Sequence, residues 1–157
     1  MMMKKPMIFC LMILAMLAAA CGQKTASAGK ESLAYSSKNA LMGMSMAFVL
    51  SDEELQVAYQ SGPNAAPESQ SYSLKEGEAQ KLFEMMKSID FHDIEMPADE
   101  KRTDAGESLL TATYGGKTRT INLSNSSALP GELQELRLAL FALAKTYQPA
   151  LAQKMGL

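Results

Sequence analysis

The stretch 108-SLLTATYGGKTRTINLS-124 decides the architecture. Two β-rich runs, Ser108 to Tyr114 and Lys117 to Ser124, flank Gly115-Gly116, and a glycine pair can take positive φ at both central positions of the primed turn that matches strand twist. Folding the runs about that pair sets Leu110 opposite Ile121 and Ser108 opposite Leu123. Leu109, Thr111, Thr113, Thr118, Thr120 and Asn122 then line the other side. Because side chains alternate along a strand, the stretch predicts a sheet with one apolar and one mostly polar face.

The same period recurs upstream. From Ala40 to Ser51, the residues Met42, Met44, Met46, Phe48 and Leu50 alternate with Gly43, Ser45, Ala47 and Val49, which reads as a strand. After Asp52-Glu53, Leu55, Val57 and Tyr59 alternate with Gln56, Ala58 and Gln60. Pairing Leu50 with Leu55 sets Phe48 against Val57 and Met46 against Tyr59, so every large side chain shares a face. Gly62 to Pro67 reads as a loop, and Ser69 to Ser73 as a short, optional further strand.

Downstream the period becomes helical. Ser73-Leu74-Lys75-Glu76 has capping-box spacing, and Ala79, Leu82, Phe83, Met86 and Ile89 follow on one helical stripe. Pro97 to Gly106 reads as a charged loop. Pro130 suits a first helical turn, and Leu133, Leu136, Leu140, Leu143 and Tyr147 form a second stripe that stops before Pro149. A one-faced sheet and two one-striped helices make an α+β fold: a two-layer sandwich with an antiparallel sheet and both helices on one face, in the order β-β-(β)-α-β-β-α.

The N-terminus follows a different logic. Lys4 and Lys5 precede an unbroken apolar run from Met7 to Ala20, and Gly22-Gln23-Lys24 beyond it is polar. That is the layout of a secretory signal, too short for a membrane span of about twenty residues. Its ending, Leu17-Ala18-Ala19-Ala20-Cys21, resembles the lipobox of bacterial lipoproteins. The resemblance implies a signal peptide over residues 1–20, cleavage between Ala20 and Cys21, and a diacylglyceryl group with palmitate-like chains on the Cys21 sulfur. It also implies a lipid-anchored cell-envelope protein. In a Gram-negative host, Gly22 after the cysteine points to the outer membrane, facing the periplasm.

The only other cysteine, Cys10, leaves with the signal, so an ordinary apolar core must stabilise the mature chain without disulfides. From Gly22 to Asn39 the chain is rich in Ser, Ala, Gly and Lys, the composition of a flexible tether. This reading assigns 21–39 to a lipidated tether and 40–157 to a single domain, long enough to bury a core.

The formal charge is −2 and becomes more negative once Lys4 and Lys5 leave. That balance excludes the basic footprint of a nucleic-acid binder and a polybasic lipid-binding stripe. Met42, Met44 and Met46 read as core filler in register with Val57 and Tyr59; the alternative is three soft ligands for Cu(I) in a periplasmic copper-binding lipoprotein. His92, the single histidine, sits among Asp90, Asp93 and Glu95 without metal-ligand spacing, and Asp99 to Glu107 lacks the order of a calcium loop. No metal or other cofactor is expected. Gly116-Lys117-Thr118 echoes a phosphate loop, but Thr111 stands where its first glycine belongs and the motif joins two strands.

With no cysteine nucleophile in the mature chain and no Gly-x-Ser-x-Gly elbow, no catalytic residues are assigned. The expectation is a non-enzymatic module that binds a protein or envelope partner. Thr111, Thr113, Thr118 and Thr120, grouped on the polar face, form the candidate docking patch. Leu74 to Lys145 is also similar in order to the emfourin-type inhibitors of thermolysin-like metalloproteases. Both have a helix ending in an aromatic, here Phe91, then Met96-Pro97, a glycine-turn hairpin and a last helix opened by Leu129-Pro130. Protease inhibition is the alternative that this resemblance implies, with no inhibitory residue carried over.

Overall fold

Among the described residues, six strands, β1 (Ser32–Asn39), β2 (Met44–Leu50), β3 (Glu54–Ser61), β4 (Glu68–Ser73), β5 (Glu107–Tyr114) and β6 (Lys117–Asn122), form one sheet in the order β4-β3-β2-β1-β5-β6. Every neighbouring pair is antiparallel. Helices α1 (Glu78–Ser88) and α2 (Gly131–Tyr147) complete the α+β fold. The computed structural model describes residues 30–97, 106–124 and 129–150.

Both expected hairpin registers are present. Leu50 faces Leu55, Phe48 faces Val57 and Met46 faces Tyr59, and Leu110 faces Ile121. Gly115 and Gly116 take φ of 57° and 73°, the primed turn that their lack of a Cβ permits. The optional strand is also present, as β4.

The boundary of the tether needs correction. Ser32–Asn39, inside the 21–39 stretch assigned to it, is β1, which pairs with β2 on one side and β5 on the other. β1 therefore joins the two halves of the sheet, and the domain begins before Ala40. The physical reason is that a strand bare on one face supplies few core side chains. Here they are Leu33 and Tyr35, both buried, between Ala34, Ser36 and Lys38. Two large apolar residues in eight do not lift the composition above that of a linker.

A second correction concerns Ala40 to Gly43, read as strand but folded as the β1–β2 turn. Gly43 has φ 61°, and a Cβ built there would lie 2.5 Å from the backbone nitrogen of Pro63. The alternation of β2 starts only at Met44. The third is the start of α1. Ser73 ends β4 instead of capping, and the helix opens after Gly77 at φ 81°, where the Lys75 N–H donates to Glu78 Oε2 (2.9 Å).

The alternate residues of the strands that face the helices are buried together with Leu82, Phe83 and Met86 of α1 and Leu133, Leu136 and Leu140 of α2. Phe141 of α2 meets Tyr35 and Phe48 edge-on, with ring centroids 4.8 and 5.6 Å apart. Each fully buried leucine or phenylalanine contributes roughly 1.5–3 kcal/mol. α1 ends in a Schellman turn: Asp90 takes φ 48°, the Asp90 N–H bonds the Lys87 carbonyl (3.0 Å) and the Phe91 N–H bonds that of Met86 (3.3 Å). This turn drops Phe91 into the core and starts the segment that carries His92.

Candidate functional site: the open sheet face

With both helices packed on one side, the other side of the sheet carries the second set of alternating residues. One row across all six strands reads Ser71, Gln56, Val49, Ala34, Thr111, Thr120 from β4 to β6. The next reads Ser69, Ala58, Ala47, Ser36, Leu109, Asn122. Neither row contains a charged side chain. Charge enters only in the outer rows, where Lys38 pairs with Glu107 and Glu54 pairs with Ser73. The residues are mostly small, so the surface is low and its relief is that of the backbone pleat.

The four candidate threonines lie at the β5–β6 end of this face. Thr111 and Thr120 hydroxyls sit 2.9 Å apart, as do those of Thr113 and Thr118. Each pair of hydroxyls is thus bonded across the two strands. The structure thus brings the threonines together and extends their patch across β1 and β2. That extension was hidden in the sequence because it depends on β1.

The other singled-out residues fall elsewhere. Met44 and Met46 pack against the core while Met42 is in the turn and exposed, so the three thioethers do not share a strand face. The His92 ring stacks on Tyr114, with centroids 3.9 Å apart and planes at 23°, and its Nε2 lies 3.2 Å from the Tyr114 carbonyl. A carbonyl only accepts, so Nε2 carries the proton there. Arg119 donates from Nη1 to the Phe91 carbonyl (3.0 Å) and from Nη2 to that of Ile94 (2.8 Å), fastening the post-helix segment to β6.

Among the described residues, no three His, Cys, Asp or Glu side chains are grouped to hold a metal ion. Gly116-Lys117-Thr118 joins two strands, the wrong context for a phosphate loop. Ala20, Cys21 and most of the acidic loop from Asp99 lie outside the described residues. Among the described residues, no helix is long and apolar enough to cross a membrane.

One ionisable cluster tunes local chemistry. Glu78 Oε2 accepts from the Tyr147 hydroxyl and from the Lys75 N–H, which hold its carboxyl below its ordinary pKa. The same bond to Glu78 raises the Tyr147 phenol above its own ordinary value. Both groups are at the surface, and they clamp the end of α2 to the start of α1. No family model matches the chain, and a search of curated proteins finds no significant match.

Proposed function

We propose that this chain is a lipid-anchored cell-envelope protein whose domain docks a protein partner through the open face of its sheet. The observation that carries the reading is the pair of successive uncharged rows running across all six strands. Charged residues are depleted at the cores of protein interfaces because their desolvation is costly, and a low, small-residue surface lets a partner's backbone approach closely. The lipobox resemblance supports the anchor. With the sheet starting at Ser32, the tether from Gly22 to Glu31 reaches at most about 35 Å when fully extended.

Two measurements test this. Cys21→Ser should abolish incorporation of a fatty-acid analogue and release the chain from membranes; undiminished labelling would defeat the anchor. A photocrosslinker at Ser36, on the tethered protein in its own envelope, should capture one discrete partner. Thr111→Lys with Thr120→Lys should reduce that capture at least fivefold without loss of folding. Equal capture by the double variant would exclude this face.

A second reading, inhibition of a thermolysin-like protease, is favoured by the β1–β2 turn. Leu41 and Met42 project into solvent there, 88 % and 58 % exposed. The turn is braced by the Met42 N–H bond to Asn39 Oδ1 (3.1 Å) and by Pro63 against Gly43. A rigid turn displaying apolar side chains is suited to a protease cleft. Hydrolysis by such a protease should then fall on adding the chain and recover with Leu41→Ser and Met42→Ser; unaltered hydrolysis removes this reading.

A further inference from the structure

We propose that the chain pairs with a second copy of itself through the outer edge of β4, continuing the sheet across a two-fold axis. Among the described residues, the sheet ends at β4. The Leu74 N–H bonds the Glu53 carbonyl (3.0 Å), and antiparallel bonding alternates, so the Tyr72, Gln70 and Glu68 backbones face β3. The backbone N–H and C=O groups of Ser69, Ser71 and Ser73 therefore point outward, and no partner meets them among the described residues.

Edge strands are normally guarded by lysine, proline or a bulge. At the opposite edge, β6 carries Lys117 and Arg119, with Arg119 fastened to the Phe91 and Ile94 carbonyls. β4, of sequence ESQSYS, carries no cation and no proline, and its register with β3 runs unbroken. Its outer edge lacks those guards.

The sequence of β4 also selects one self-pairing. With the axis at Ser71, Ser69 faces the partner's Ser73, and Gln70 faces the partner's Tyr72. Glu68, the one charge within β4, then lies opposite the partner's Leu74, so the two Glu68 carboxylates are kept at opposite ends of the seam. The pleat permits only shifts of two residues. One such shift sets Pro67, which has no N–H, against Ser73, and the other leaves only Ser71, Tyr72 and Ser73 paired within β4. Only the register centred on Ser71 avoids both.

Sedimentation of the purified full-length chain in mild detergent tests this. The native chain should show a concentration-dependent dimer. Ser71→Lys, which sets two ammonium groups face to face, should weaken it at least tenfold, as should Ser71→Glu. Mixing the two variants should restore a mixed dimer. With Cys10 and Cys21 both changed to Ser, Ser71→Cys should form a disulfide-linked dimer on mild oxidation, while Thr120→Cys on the β6 edge should not. A chain that stays monomeric throughout, a Ser71→Lys chain that dimerises as tightly as the native one, or equal crosslinking at Thr120 would overturn the proposal. None of these outcomes bears on docking at the open face, which Thr111→Lys with Thr120→Lys addresses separately.

Discussion

The β1–β2 and β5–β6 hairpins both turn through glycine at positive φ, yet different forces hold them. Gly115 and Gly116 stand free, with nothing within 4 Å of a Cβ at either, so local backbone preference alone sets that turn. Gly43 is locked by tertiary packing, since the Pro63 nitrogen would lie 2.5 Å from its Cβ. Gly43→Ala combines a left-handed penalty of about 1–2 kcal/mol with a backbone clash of about 1–3 kcal/mol. It should cost about 4 kcal/mol in urea unfolding, the largest effect expected here. A loss below about 1.5 kcal/mol would show that the two turns move apart freely and that the distinction is mistaken.

The next test asks whether the first hairpin belongs to the core at all. Leu33 is fully buried opposite Leu50 on one side and Ala112 on the other. Leu33→Ala should cost about 3 kcal/mol, whereas the same change in a tether would cost nothing measurable. The β5–β6 hairpin was legible because Gly115-Gly116 declares its own register within seventeen residues of continuous pattern. β1 was not, because its meaning lies in two partners distant along the chain. The weak alternation of Leu33 and Tyr35 between small residues was the available signal, and it was submerged in linker-like composition. The candidate face divides the same way: Thr111, Thr113, Thr118 and Thr120 follow from the glycine pair, while Ala34 and Ser36 join them only through β1. Arg119 falls between the two cases. Its place on the apolar face beside Ile121 is readable, but its carbonyl partners sit in an irregular segment that no periodicity locates.

Asparagine tolerates the left-handed region and so separates the two forces more finely. At Gly115, alanine should cost about 1 kcal/mol, and asparagine should recover most of it. At Gly43, asparagine should cost nearly as much as alanine, because its Cβ meets the same Pro63 atoms. Urea unfolding of the four variants checks this. Equal rescue by asparagine at both sites would mean that φ, and not packing, governs Gly43.

A third turn extends the comparison from shape to charge. Gly77, at φ 81° with nothing within 4 Å of a Cβ, has no packing to fix it. The Glu78 N–H bonds the Lys75 carbonyl across the turn (3.2 Å), and the Glu78 carboxylate, held by the Tyr147 hydroxyl and the Lys75 N–H, adds a second closure. Because folding lowers the Glu78 pKa from its ordinary 4.5, the clamp contributes fully above that value and is lost as pH falls through the depressed folded one. Tyr147 is shifted upward from 10.0, so its share is complete below that value and lost as pH rises through the folded one. Stability should therefore decline at both extremes on account of this single clamp. Glu78→Gln should flatten the acid limb of the stability profile while leaving neutral-pH stability little changed, as is usual for surface interactions. Tyr147→Phe should flatten the alkaline limb as well as the acid one. Gly43→Ala, by contrast, should lower stability by the same amount at pH 4 and pH 7, because steric exclusion carries no proton. An acid limb unchanged in Glu78→Gln would place the closure of the third turn in backbone geometry, as in the β5–β6 hairpin, and not in charge.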